Sequence, residues 1–342
     1  MSKKFGFGIV GCGLISKWHL TAINSIPEAE LIGVYDSYRP GAEKFASENP
    51  TRIFNTYEEM LNCEDIDIIN ICTPSGLHAP LAIQAANHKK NVVVEKPMAI
   101  TKQQINDLIY AVEKNNVKLA VISQLRFSES IQKVKKALED GELGKILLGD
   151  VYMKYYRSPE YYASAGWRGT WEMDGGGALM NQGIHGIDVL QYLVGPVKSV
   201  MGMCRTLARD IVVEDTANVI VEFENGAIGT IQGTTSVEPG YPRIIEISGT
   251  RGTIALKEDV ITRWDVDGNT LSEEEIATGD HNSYRNPAGF ALDSHTAQIQ
   301  DLINAIKEDR RPLVDVYEGK KPVQIILSAY ESSKTGRKID IK

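Results

Sequence analysis

The sequence predicts an α/β protein: an N-terminal Rossmann-type doubly wound parallel sheet, followed by a C-terminal α+β region with a large, mostly antiparallel open sheet. Three observations predict it. Short β-branched runs alternate with helical stretches through the first third of the chain. A glycine turn, GCGLIS, separates the first such run from the first helical stretch. After about Ser123 the pattern changes to strands that alternate apolar and polar, two of them flanking the hairpin dipeptide Asn225-Gly226. The expected division is residues 1–122 and residues 123–342.

Taken in order, the first region offers strands FGFGIV (5–10), LIGVY (31–35), DIIN (67–70, running on into Ile71 and Cys72), NVVV (91–94) and KLAVI (118–122). Helical patterns lie between them at 17–26, 42–48, 57–61, 79–87 and 102–114. Near-continuous apolar strands of this kind are buried on both faces. The second region opens with a helix at 131–138 and a long strand at 146–156, then a loop rich in aromatics and glycine. Strands at 213–223 and 227–235 flank the Asn-Gly turn, and further strands fall near 243–248, 253–256 and 260–265. Two helices, 295–307 and 319–333, close the chain.

Composition narrows the function classes. Apolar residues make up 42% and charged residues 24% of 342, as in a protein with a substantial core. A net charge of −8 without a long basic run argues against a nucleic-acid partner. No apolar run reaches the roughly 18 residues of a membrane helix. The start, MSKKFGFGIVGCGL, has the lysines of a signal peptide, but glycines break its apolar run and no cleavage site follows. Cys12, Cys63, Cys72 and Cys204 are scattered, which fits reduced thiols in a cytoplasmic protein. The six histidines show no metal-ligand spacing, so no metal is expected.

GCGLIS carries the first site. Gly11 permits the tight turn, Gly13 lets the backbone approach a pyrophosphate, and the small Ser16 allows close helix–strand packing. Phosphates would sit on the helix N-terminus, at Leu14 and Ile15. Asp36 ends the second strand close to the usual offset of ~20 residues, where a carboxylate binds the ribose hydroxyls and repels a 2′-phosphate. NAD is therefore expected over NADP, although Arg39 nearby could accommodate the phosphate.

Glu95, Lys96 and Pro97 end the NVVV strand, where open α/β sheets bind their ligands. On position alone Lys96 is either a substrate contact or a solvated strand-end lysine. GCGLIS, CTPSGLH after DIIN, EKP, and GGG…N…GIH..D at 175–188 come in that order, and HTAQIQDLINAIKEDRRP closes the chain. Together they resemble the glucose–fructose oxidoreductase / inositol dehydrogenase (Gfo/Idh/MocA) family over nearly the whole length.

The resemblance implies a dehydrogenase that uses NAD(P) on a secondary alcohol or ketone of a sugar, sugar derivative, sugar nucleotide or cyclitol. It makes Lys96 and His185 the catalytic residues and implies a cis Lys96–Pro97 peptide. It assigns Gly11, Gly13, Leu14, Ile15, Asp36, Arg39, Thr73, Pro74, His78, Glu95, Lys96, Gln124, Trp167 and Arg168 to the cofactor. Gln124, Arg126 and Phe127 stand where the family often has a polar–x–Arg–aromatic run. Lys96, Asn181 and His185 fall to the substrate. Asn181 stands where inositol dehydrogenases often have aspartate; an amide orients a hydroxyl but supplies no negative charge. His281, in the polar loop His281–Asn282–Ser283–Tyr284, is a further substrate candidate, although polar loops are ordinarily just solvated. Relatives that cleave glycosides with retained NAD, or that only sense ligands, are the alternatives.

The histidine also has a bland reading, as a core residue with its hydrogen bonds satisfied. At ~100° per residue Asn181, His185 and Asp188 share one stripe of a helix, with Tyr192 continuing it, while Leu179, Gly183, Ile187, Leu190 and Val194 lie opposite. A polar stripe favours a working role for His185; Asp188 either orients the helix or makes a simple structural bond. His185 and Lys96 both remain candidates for the base. A homodimer or homotetramer is expected through the open sheet, because Val219, Val221 and Phe223 alternate with Ile220 and Glu222, leaving apolar residues on both faces.

Overall fold

The structure, a computed structural model, describes residues 4–270 and 292–341. It contains two compact units, one formed by residues 1–124 and 291–320, the other by residues 125–290 and 321–342. The first unit holds β1 (Phe5–Val10), α1 (Ser16–Ser25), β2 (Ala29–Tyr35), α2 (Arg39–Glu48), β3 (Arg52–Ile53), α3 (Tyr57–Leu61), β4 (Ile68–Ile71), α4 (His78–Asn87), β5 (Asn91–Val94), α5 (Lys102–Asn115) and β6 (Leu119–Val121). Its six strands are parallel, in the order β3-β2-β1-β4-β5-β6. β4 is buried at every residue, as a continuous IINI run requires of a strand covered on both faces. The strand order reverses between β1 and β4, so the crevice at their carboxyl ends lies beside GCGLIS.

The second unit begins with α6 (Glu129–Glu139), β7 (Ile146–Lys154) and the short α7 (Pro159–Ala163). Next come α8 (Ile184–Val194), β8 (Val197–Arg205), β9 (Thr216–Phe223), β10 (Ile228–Thr234), β11 (Ile244–Gly249), β12 (Gly252–Lys257), β13 (Val260–Val266) and β14 (Asn269–Thr270). After α9 (Leu292–Lys307) and α10 (Val316–Thr335), the chain adds β15 (Ile339–Asp340). The nine-stranded sheet runs β14-β13-β12-β11-β7-β10-β9-β8-β15 and is antiparallel except where β7 meets β10. Gly226 sits at φ +87°, which the Asn-Gly turn between β9 and β10 needs and a side chain would resist. Val219, Val221 and Phe223 of β9 are buried, whereas Ile220 is 62% exposed, so the alternation expected there is present.

Some elements depart from expectation. β3, β14 and β15 are two-residue pairings, too short to leave a period. β8 reads VKSVMGMCR, whose valines and methionines blur the alternation. The boundary expected at 122/123 lies within two residues of the first crossing, but residues 291–320 return to the first unit. The reason is packing. Ile299, Leu302 and Ile303 of α9 are fully buried in one cluster with Phe7, Ile9, Leu20 and Ile23. Gln298 adds a polar tie, accepting from Ser123 N at 2.9 Å and donating to Val121 O at 2.7 Å. An amphipathic helix announces that it buries a face, not whose core receives it.

Truncation of Ile303 to alanine should therefore cost about 2–5 kcal/mol, the range for a buried isoleucine. Urea denaturation of Ile303→Ala measures it, and an unchanged midpoint would remove α9 from that core.

Candidate active site

In the first unit, Gly11 adopts φ +90°, and a Cβ there would lie 2.7 Å from Cys72 O. Nothing lies within 4 Å of the Cβ position of Gly13, so the loop is open on that side. Ser16 is fully buried and donates to Gly13 O at 2.6 Å, closing the turn against α1. Among the described residues, the N–H groups of Gly13, Leu14 and Ile15 meet no acceptor, which leaves a helix N-terminus ready for an anion. Asp36 accepts from Cys12 N at 2.7 Å and Tyr38 N at 2.8 Å, so its carboxylate stands against the glycine loop. Arg39 reaches Glu43 on α2 (3.1 Å) and Asn55 after β3 (3.0 Å).

The loops after β4 and β5 are tied together by His78, whose Nδ1 and Nε2 each lie 2.7 Å from a carbonyl, those of Pro97 and Thr73. Burial holds its pKa below the ordinary value against those two contacts. His78 is thus a strut between the two loops. Lys96–Pro97 is cis, as expected. Glu95 also faces inward: its Oε1 meets His19 Nε2 at 3.0 Å and its Oε2 accepts from Lys96 N at 3.1 Å. His19 in turn meets Asn70 Nδ2 at 2.9 Å. Burial raises the Glu95 carboxyl, but the His19 bond and nearby positive charge outweigh it and hold the pKa at about 2. Glu95 thus anchors the Lys96 peptide.

A dinucleotide fits the remaining groups. Thr73 Oγ1 and Gln124 Oε1 are buried and without hydrogen-bond partners, orphans that a bound polar ligand would satisfy. With the open Gly13 and the bare N–H groups of α1, these are the atoms that would hold NAD.

In the second unit the GGG turn leads into a π-helical segment, Ala178–Gly183, before α8 begins. The α-helical stripe expected over 181–188 is therefore interrupted: Asn181 N and Gln182 N both bond back to Gly177 O. The glycines answer to sterics. A Cβ on Gly176 would lie 2.1 Å from Tyr330 Oη, and one on Gly177 2.0 Å from Glu214 O. Glu214 accepts from Gly177 N at 2.9 Å, Leu179 N at 2.8 Å and Tyr330 Oη at 2.7 Å, while its carbonyl accepts from Ala178 N at 2.9 Å.

Asn181 donates to Asp174 and accepts from Gln182 Nε2 at 2.9 Å. Gln182 also donates to Tyr161 Oη (2.8 Å) and accepts from Arg157 Nε (3.0 Å). Arg168 stacks over Tyr161 with Cζ 4.1 Å from the ring centroid, and over its neighbour Trp167 at 4.9 Å. The structure thus joins Asn181, Arg157, Arg168 and Trp167 in one polar and aromatic patch. His185, 9% exposed, is the second residue of α8.

Asp188 takes a bidentate, buried bond from Arg126 (Nε 2.9 Å, Nη2 2.6 Å), and Arg126 lies over the Tyr192 ring at 4.7 Å. Those two stripe residues hold α8 to the turn at 124–127 that precedes α6. His281 lies outside the described residues. Glu214, Tyr330, Asp174, Gln182 and His19 did not stand out in the sequence; only the adjacent acids Glu214-Asp215 ahead of an apolar strand hinted at one of them.

Replacing Asp188 with asparagine leaves the Arg126 guanidinium buried without its carboxylate. The variant should lose about 3–5 kcal/mol of stability, visible as a lower urea midpoint. A loss under about 1 kcal/mol, the scale of an exposed pair, would return Asp188 to the functional stripe.

Comparison with known proteins agrees with this geometry. Residues 5–123 match the model of the oxidoreductase family with an NAD-binding Rossmann fold, and residues 131–255 match the GFO/IDH/MocA C-terminal domain. The WlbA dehydrogenase from Bordetella pertussis, solved in complex with NADH and UDP-GlcNAcA, is 33% identical over 99% of both chains, with a TM-score of 0.89. An inositol 2-dehydrogenase from Rhizobium meliloti is 26% identical over 98% of both chains. An oxidoreductase of Bacillus subtilis, YrbE, is 27% identical over 100% of this chain and 98% of its own. The chain belongs to the GFO/IDH/MocA family, as an NAD-dependent oxidoreductase acting on a hydroxyl of a sugar, sugar derivative or cyclitol.

Proposed function

We propose that the substrate is a sugar nucleotide with an acidic sugar, of the UDP-GlcNAcA type. The observation that carries this is the full-length likeness, at 33% identity, to a dehydrogenase solved with that compound. The Arg157 and Arg168 guanidinium groups around Tyr161, linked through Gln182 to Asn181, suit an anionic ligand. Gly11, Gly13, Leu14, Ile15, Asp36, Thr73 and Gln124 would hold NAD, which would supply the hydride acceptor. His185 takes the hydroxyl proton, for which an imidazole is suited near neutral pH. The Lys96 ammonium stabilises negative charge as it develops on the oxygen. Asn181, fixed between Asp174 and Gln182, orients the hydroxyl.

Several groups support a homo-oligomer joined through the outer face of the nine-stranded sheet. Leu148, Met201, Met203, Ile220, Ile228 and Ile244 are 42–68% exposed. Register puts Met201 opposite Ile220 and Ile228 opposite Leu148. An apolar face of this kind is covered in most proteins that carry one. Among the described residues no helix is long and apolar enough to cross a membrane, and four free cysteines fit a reducing, cytoplasmic setting.

A panel of UDP-GlcNAcA, UDP-GlcNAc and inositols, read by NADH absorbance, tests the substrate class. Highest kcat/KM is expected for UDP-GlcNAcA; turnover confined to neutral cyclitols would sink the proposal. His185→Ala should lower kcat/KM by roughly 10²–10⁴-fold and remove its acidic limb. A limb that persists in that variant and vanishes in Lys96→Met makes the lysine the base.

Light scattering should give a multiple of the 37.8 kDa chain, reduced to one chain in Ile220→Lys/Met201→Lys. A 37.8 kDa wild-type particle at micromolar concentration counts against the interface.

A further inference from the structure

We propose that Glu214 is a positioning residue for the reaction: its carboxylate holds the GGG turn so that Asn181 and His185 are correctly aimed, and it touches no substrate itself. What those two side chains do rests on the dehydrogenase reading; the geometry is that of the second unit alone.

A carboxylate has two oxygens, four acceptor positions and no hydrogen. Glu214 uses them for the N–H groups of Gly177 and Leu179 and for the Tyr330 hydroxyl, and its own carbonyl takes the N–H between those two. A glutamine would turn an NH2 group toward at least one of these donors. The acid is costly in such a place: Glu214 is 3% exposed and, among the described residues, forms no salt bridge. What the acid fixes is Gly177, whose carbonyl accepts from both Asn181 and Gln182 and so starts the π-helical segment. Movement at Gly177 therefore reaches Asn181 within one turn, and His185 four residues later.

The titratable groups facing Glu214 are Tyr330 from α10 and Cys204 from β8. Asp215 beside it turns away, onto the N–H groups of Leu207, Ala208 and Arg209. Burial pushes the Cys204 thiol up to about 12 and the Tyr330 phenol well above its ordinary value, so both stay neutral. Burial also lifts the Glu214 carboxyl to about 7, against the bonds from Leu179, Tyr330 and Gly177. Only Glu214 of the three changes charge near neutrality. Protonation at the one acceptor position left, on Oε2, removes the negative charge that strengthens the three bonds, so the turn loosens and activity falls as pH drops through this range.

Trp171 meets the Tyr330 ring edge-on at 5.2 Å between centroids, so its emission reads the clamp without any substrate. In the full chain with NAD, the difference in emission between wild type and Trp171→Phe should titrate near neutral pH. Glu214→Gln should abolish that titration, lower kcat by up to roughly 100-fold, as a small misplacement does, and leave the Kd for NAD within about twofold. Its urea midpoint should fall by no more than one unsatisfied buried donor costs, about 1–3 kcal/mol. Tyr330→Phe keeps the ring and removes one donor to the ionised form, so the titration and the acidic limb of kcat/KM should both move to higher pH.

Wild-type kcat in Glu214→Gln overturns the proposal, as does a loss of activity that only tracks a loss of stability. If Glu214→Gln does not fold, an unmoved midpoint in Tyr330→Phe overturns it instead. Should the wild type turn over no sugar, nucleotide sugar or cyclitol, the dehydrogenase reading fails, and the Trp171 titration still decides whether Glu214 holds the turn.

Discussion

Carboxylates turned inward onto backbone N–H groups hold each functional loop of this protein. Asp36 gathers the amides of Cys12 and Tyr38 at the glycine turn. Glu95 takes the amide of Lys96, and Asp174 that of Gly169. Glu214 and Asp215, adjacent in sequence, each cap a different loop. A loop near a ligand must expose its backbone and cannot satisfy it in a ladder. An ionised acceptor satisfies two or three donors at once, with bonds stronger than neutral ones. Part of the chain's acidic excess is therefore structural and points inward, which is why a net charge of −8 says little about the sites themselves.

The glycines are the other half of that arrangement. An inward carboxylate or phenol needs the backbone to come close, and a Cβ would prevent it. Gly176 and Gly177 stand where Tyr330 and Glu214 press on the turn, and Gly11 stands where the chain passes Cys72. Gly13 differs, because the space above it is open. The two glycines of one short motif thus differ: at one the protein itself fills the space a side chain would need, at the other that space is open.

How much of this could be read in the sequence follows the range of the forces involved. The parallel sheet was legible because its strands are near-continuous apolar runs, and the β9–β10 hairpin because Asn-Gly sets a local backbone requirement at Gly226. GCGLIS and the candidate pair Lys96 and His185 were legible as motifs. The π-helical turn was not: its composition suits an ordinary helix, and its geometry comes from Glu214, 37 residues away. Nor was the return of α9, whose apolar face carries no address. His78 and Glu95 lie in recognisable motifs, yet their direction, inward onto carbonyls and His19, depends on neighbours from other strands.

Asn181 brings these strands together. An aspartate there would face the buried carboxylate of Asp174, and two such groups in contact cannot both ionise. An amide avoids the conflict: it donates to Asp174 and accepts from Gln182, which also contacts Tyr161 and Arg157. Negative charge is still present one hydrogen bond behind Asn181, on Asp174, while Arg157 lies on the far side of Gln182. The departure at Asn181 is thus the neutral link between an acid that belongs to the loop and cations that suit an acidic substrate. A polar side chain able only to accept, or only to donate, would break that link at one end.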